Sequence, residues 1–100
     1  MTTDPLFRLT IQDVFSLRGR GSVVTGKIES GSIHPGDTVS YHREGVFKQV
    51  VVDGIDMYRK QISQAGKGQT VGLLLSQIGS GELQRGDVLL GSGMDFEWKM

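Results

Sequence analysis

Nowhere in this chain does an apolar period of 3.6 residues persist for three helical turns. The apolar residues come in short runs, punctuated by fifteen glycines and only two prolines. Glycine reaches backbone angles that other residues avoid, so such punctuation marks strands joined by tight turns. Phe7, Leu9 and Ile11 alternate with Arg8, Thr10 and Gln12, the period of a half-buried strand. A second strand is expected from Ser22 to Glu29, a third from Thr38 to His42 after the turn His34-Pro35-Gly36-Asp37, and a fourth from Val46 to Met57 after Arg43-Glu44-Gly45. Val71 to Leu75 is apolar on both parities, as in a strand buried on both faces or crossing a barrel seam. Gln84-Arg85-Gly86-Asp87 introduces Val88-Leu89-Leu90, and Arg59 to Gln69 reads as a polar connection with room for one short turn. Short strands at regular spacing predict an all-β fold, a closed or nearly closed antiparallel barrel that leaves no strand edge to aggregate.

The segment Asp13 to Gly31, DVFSLRGRGSVVTGKIESG, is the most informative within that frame. Its flanks, Val14-Phe15 and Val23-Val24-Thr25, are strand-like, and Gly19-Arg20-Gly21 lies between them. The segment predicts a hairpin that displays arginine at its tip. The two turns ending in Gly-Asp look alike and both precede a strand, so one turn chemistry is used twice.

One hundred residues suffice for one domain with a modest core. Cysteine is absent, which removes disulfides and thiol chemistry and is compatible with a reducing cytosol. Eleven basic residues balance eleven acidic ones, so diffuse electrostatic attraction to nucleic acid is not expected and any RNA contact needs a local cluster. No apolar run approaches a membrane span and the start, MTTDPLFRLT, has no signal-peptide core. A soluble, cytoplasmic, unprocessed protein without a membrane partner is the expectation.

Catalytic motifs fail on inspection. Gly21 to Lys27 fits the spacing of a phosphate loop, but Ile28 stands where a magnesium-binding serine or threonine is needed. Its interior is strand-like, and no helix follows to offer an N-terminus to phosphate. His34 and His42 lie eight residues apart with no cysteine neighbours and read as surface histidines, not metal ligands. No serine occupies a nucleophile elbow and no carboxylate pair has a useful spacing. Arg85-Gly86-Asp87 matches an adhesion tripeptide but reads as a turn. No catalytic residue, metal site or cofactor is assigned.

Two groups of residues suit binding. Arg18, Arg20, Arg59, Lys60 and Arg85 sit in loops that a barrel can gather at one end, where they would supply the phosphate contacts that dominate RNA affinity. Each also reads as an ordinary solvated loop charge. Asp56, Tyr58 and Arg59 form a trio able to stack a base, accept from its edge and hold a phosphate. The same trio also reads as the outward alternates of core residues Ile55 and Met57.

Four segments in order, DVFSLRGRGSVVTGKIESGSIHPGD, VDGIDMYRK, AGKGQTVGLLL and ELQRGDVLLG, resemble the second domain of elongation factor Tu, from about Phe7 to Gly91. Residues 1–6 would be a lead-in, 7–91 the barrel, and 92–100 a tail whose Phe96 and Trp98 share one parity and could cover barrel surface. The resemblance implies a six-stranded β-barrel of the translation-protein type, one wall of the cleft that holds the aminoacylated end of tRNA. By position, Leu17, Val23 and Leu74 would surround the terminal adenosine and Asp56 would pack on the adenine. Arg59 would lie near the aminoacyl ester, Arg85 near the 5′ phosphate, and Arg18 and Arg20 at the rim. Gln12, Asp13, Phe15, Thr25, Tyr58 and Thr70 would line the amino-acid pocket. Three of these depart from the family pattern: Gln12 replaces a glutamate, Asp56 is one methylene shorter than the family's glutamate, and Thr70 replaces an asparagine.

The sequence carries neither a phosphate loop nor an asparagine-lysine-x-aspartate guanine signature. The resemblance therefore covers the barrel domain and implies no GTP site here. The expected function is a non-catalytic module that binds RNA, with the acceptor end of tRNA as first candidate and ribosomal RNA as another. The alternative is a protein-interaction module that docks on a GTPase, a translation factor or itself; a domain with no independent activity is a third possibility.

Overall fold

The computed structural model describes residues 6–79 and 81–91. The tail with Phe96 and Trp98, and all of the lead-in except Leu6, lie outside the described residues. The described chain is all-β and antiparallel: β1 (Arg8–Leu17), β2 (Gly21–Ser30), β3 (Ser32–Ile33), β4 (Thr38–Arg43), β5 (Val46–Val51), β6 (Gly54–Met57), β7 (Lys60–Ile62), β8 (Ala65–Gly66), β9 (Thr70–Leu75) and β10 (Val88–Gly91). Eight strands form one sheet in the order β5-β4-β10-β1-β2-β9-β6-β7, and β3 pairs with β8 in a second.

Two expectations about strands need correction. The run from Val46 to Met57 is two strands, because Val52 and Asp53 leave the ladder between β5 and β6. Their backbone is satisfied elsewhere: Val52 N–H donates to Asp37 O (2.8 Å) and Asp53 N–H to Leu74 O (2.8 Å). The polar connection after Arg59 contains β7 and β8, too short to show an alternating pattern.

The break at Val52-Asp53 shapes the whole sheet. β5 and β6 are six strand-steps apart in the sheet order, roughly 29 Å if the sheet were flat. Two intervening residues span only about 11 Å between flanking Cα atoms. The sheet must therefore curl enough to bring the end of β5 within that reach of the start of β6. Inside the curl lies the core, with Leu9, Ile11, Val24, Ile28, Val39, Ile55, Leu73 and Leu89 almost wholly buried. Each such side chain contributes about 1.5–3 kcal/mol on burial. Ser22 is the buried polar side chain among the described residues, and its hydroxyl donates to Ile78 O at 3.1 Å.

The repeated turn is chemically one device. Asp37 N–H donates to His34 O (3.0 Å), while the Asp37 carboxylate accepts from His34 N–H (2.8 Å). Asp87 and Gln84 make the same reciprocal pair at 3.0 and 2.9 Å. Gly36 and Gly86 supply φ values of 96° and 94° at the third position, which a side-chain-bearing residue adopts only at a cost.

Candidate functional site

Register decides which side chains share a surface. Along β1, β2, β9 and β6, alternate residues face the core, and the others face outward. The pairings place Phe15 beside Val23, Val23 beside Leu74, and Leu74 beside Gly54. The adjacent row runs Asp13, Thr25, Gly72, Asp56 and Gln61. Leu17 lies opposite Gly21 at one end of this surface, and Thr70 opposite Lys27 at the other. Eight residues singled out from the sequence (Asp13, Phe15, Leu17, Val23, Thr25, Asp56, Thr70 and Leu74) thus lie on one outward face.

Two glycines hollow this face. A Cβ on Gly72 would meet Val23 Cγ1 at 3.3 Å and Thr25 Cγ2 at 3.8 Å, and one on Gly54 would meet Leu74 Cβ at 3.9 Å. Without side chains at these two positions, the strand backbone comes to the outward face beside Val23, Thr25 and Leu74. Leu17, Val23, Thr25 and Leu74 are half-buried, while Phe15, Asp13, Asp56 and Thr70 are exposed. Gly72 and Gly54 were not among the expected site residues, although an isolated glycine in an apolar strand marks a bulge or a close approach.

Gln12 is placed by a β-bulge. The register between β1 and β2 shifts between Ile11 and Asp13, so Gln12 opposes no residue of β2. This extra residue turns both Gln12 and Asp13 outward while Ile11 stays in the core. Arg85 reaches across from the turn before β10: its Nε donates to Gln12 O (2.8 Å) and its Nη2 to Asp13 Oδ1 (3.0 Å).

The hairpin tip between β1 and β2 is Arg18-Gly19-Arg20, one residue earlier than the expected Gly19-Arg20-Gly21, since Gly21 already pairs with Leu17. Arg20 N–H closes the turn on Leu17 O (2.9 Å), with Gly19 at φ 71°. Both arginines are exposed. At the opposite end of the face, Tyr58 and Arg59 form the whole two-residue turn between β6 and β7, with φ values of 53° and 66°. Positive φ at both positions is the type I′ hairpin turn, which ordinarily selects Asn-Gly. Tyr58 is 90% exposed. Among the described residues Arg18, Arg20 and Arg59 make no ion pair, whereas Arg8 pairs with Glu29, Arg43 with Asp87, Lys48 with Glu82 and Arg85 with Asp13. The face is apolar at its centre, carries the Asp13 and Asp56 carboxylates on either side of Thr25 and Gly72, and is rimmed by the unpaired guanidinium groups of Arg18, Arg20 and Arg59.

A polar cluster around β4 lies apart from this face. The buried Tyr41 hydroxyl donates to Glu82 (2.9 Å), which also accepts from Lys48 Nζ (3.2 Å). Burial, then the Glu82 hydrogen bond, pushes the phenol up to about 12. The hydrogen bonds from Tyr41 and Lys48 hold Glu82 below the usual carboxylate range.

Residues 21–90 match the family model for elongation factor Tu domain 2. The matched span contains β2 to β9 and most of β10, and with them Val23, Thr25, Gly72, Leu74 and the Tyr58-Arg59 turn. Seventy of the hundred residues fall within the match, and the chain belongs to the elongation factor Tu domain 2 family.

Proposed function

We propose that this domain is a non-catalytic translation-factor module that binds RNA, its ligand the aminoacylated acceptor end of tRNA. The observation that carries this reading is the single register that sets Phe15, Val23 and Leu74 beside Thr25, Gly72 and Asp56. Family membership supports this reading of the face: the strip around Gly72 and Gly54 takes the terminal adenosine between Leu17, Val23 and Leu74, with Asp56 at its edge. The exposed Tyr58 ring and the Arg59 guanidinium supply stacking and charge to the aminoacyl end. Arg18 and Arg20 face backbone phosphate. In the same reading β4, β10, β1, β2, β9 and β6 are the six staves of a closed barrel, and the protein works in the cytoplasm. Affinity is weak, because one wall of a cleft must still overcome several kcal/mol of association entropy.

A titration with aminoacylated and uncharged tRNA at two salt concentrations tests this. The charged form binds more tightly, and Arg59→Ala weakens binding and lowers the log K against log [salt] slope by about 0.7. Absence of binding by either form overturns the reading. One observation favours a second reading, docking on a GTPase or another translation factor: Val46 and Phe47 stand exposed on β5, at an end of the sheet order. Capture of such a partner that survives high salt and nuclease supports that alternative.

A further inference from the structure

We infer that β5 is a self-association edge, on which a second copy of this chain pairs antiparallel across a two-fold axis at Gln49. The inference does not rest on the tRNA-end reading, since β5 takes no part in the face built by β1, β2, β9 and β6. β5 ends the sheet order and pairs with β4 in an unbroken register, from Arg43↔Val46 to Thr38↔Val51. Arg43 and Val46 flank the two-residue turn Glu44-Gly45, whose φ values of 53° and 84° are those of type I′. They therefore form a hydrogen-bonded pair. Alternation then directs the peptide groups of Lys48 and Val50 at β4, and those of Phe47, Gln49 and Val51 away from it. Val51 obeys this pattern: its N–H donates to the Gln77 side chain (3.4 Å) and not to β4. The outward peptide groups of Phe47 and Gln49 have no backbone partner among the described residues. Such an edge is a template for another strand. Four of its six residues are apolar, and Val46 and Phe47 are largely exposed. The opposite end of the sheet, β7, has three residues and begins with Lys60, the short, charged form that deters pairing.

The strand that fits this edge is its own copy. Identical strands pair antiparallel about a two-fold axis, and their faces match when opposed residues share parity. An axis at Gln49 brings the free peptide groups together: Phe47 meets Val51 of the second copy, and Gln49 meets Gln49. Each end then sets an aromatic ring against a β-branched side chain, a favourable cross-strand pair. Lys48 falls opposite Val50, so no like charges meet, whereas an axis at Lys48 would oppose two lysines. An axis at Phe47 would set the turn residue Gly45 against Gln49 and leave Val51 unmatched. Lys48 is the one charge on β5, and Glu82 offsets it at 3.2 Å, so the edge offers an acidic ligand little. Eleven basic residues balance eleven acidic ones, and two copies approach without net repulsion. The long, exposed bond from Val51 to Gln77 yields to the carbonyl of Phe47 in the second copy. One strand junction buries less than the roughly 1,200 Å² of a stable interface, so the dissociation constant is on the order of 100 μM.

Sedimentation equilibrium of the whole chain, from about 10 μM to about 1 mM, tests this. The mean mass of the parent rises from 10.9 kDa towards twice that value. Amide exchange at Phe47 and Gln49 slows as concentration rises, whereas Lys48 and Val50, bonded within the chain, keep their rates. Gln49→Lys and Gln49→Glu each set like charges face to face, and each stays monomeric. An equimolar mixture of the two regains association at least as strong as the parent's. Gln49→Pro removes an N–H that the fold does not use, and it too stays monomeric. Thermal midpoints show which variants are folded; should the proline variant unfold, the charged pair carries the comparison. The inference is overturned if the parent remains at 10.9 kDa throughout, whichever partner then takes the edge. It is also overturned if the mixed charged variants stay monomeric, or if folded Gln49→Pro associates as the parent does. A parent that dimerises without binding tRNA defeats the tRNA reading alone, and a monomer that binds tRNA defeats this inference alone.

Discussion

Tyr58 and Arg59 hold left-handed backbone angles that cost roughly 1–2 kcal/mol per residue with a Cβ. Neither side chain repays this through packing: both are exposed. Strain of this kind gathers where a side chain is displayed for a ligand. A Tyr58→Asn/Arg59→Gly variant should therefore gain about 1–2 kcal/mol, read as a higher urea midpoint, and lose tRNA binding. A lowered midpoint would mean that the pair stabilises the hairpin. The sequence offered Tyr58 and Arg59 as binding residues beside a second reading as plain surface alternates. It could not show their strain, because the turn lacks the glycine or asparagine that marks a type I′ loop.

At the scale of elements, the hairpin of β1 and β2 carries most of the site, and its pairing leaves little room for error. Gly26, opposite Ile11 beside the bulge, would with a Cβ meet Thr10 O at 2.4 Å and Leu9 Cδ2 at 2.8 Å. Backbone cannot yield as a side-chain tip does. Gly26→Ala should cost about 2–3 kcal/mol, measured by chemical denaturation, and parental stability would refute the close approach. The alternation of Phe7, Leu9 and Ile11 and both Gly-Asp turns were legible in the sequence, being set by neighbours in the chain. The bulge at Gln12, the break at Val52-Asp53 and the short β7 and β8 were not, since each depends on partners distant in sequence. For the same reason the candidate residues could be named singly, while their arrangement in two rows required the register.

Across the whole molecule, charge fixes the pH range of stability. Glu29, Asp53 and Glu82 have depressed pKa values, caused first by hydrogen bonds from Thr10, Ser76 and Tyr41 respectively. A lowered folded-state value contributes stability that is present above the unfolded carboxylate pKa and lost as pH falls through the folded one. Tyr41 has the opposite sign: raised to about 12, it contributes below the unfolded phenol value and loses that contribution as pH rises toward 12. Stability should form a plateau bounded by an acid limb below about pH 4.5 and an alkaline limb above about pH 10. Asp53→Asn should make the acid limb shallower and Tyr41→Phe the alkaline one, as followed by thermal midpoint against pH. Unaltered limbs would assign them to other groups.

The twin turns bear on how such a domain can change over time. Backbone atoms, a glycine and an aspartate close each turn, and the second position takes no part in closing it, so proline and arginine serve equally well there. Natural selection can therefore rewrite that position without opening the turn. What stands there decides instead whether the neighbouring bulge of β1 gains a side-chain partner, as Arg85 provides at Gln12 O and Asp13.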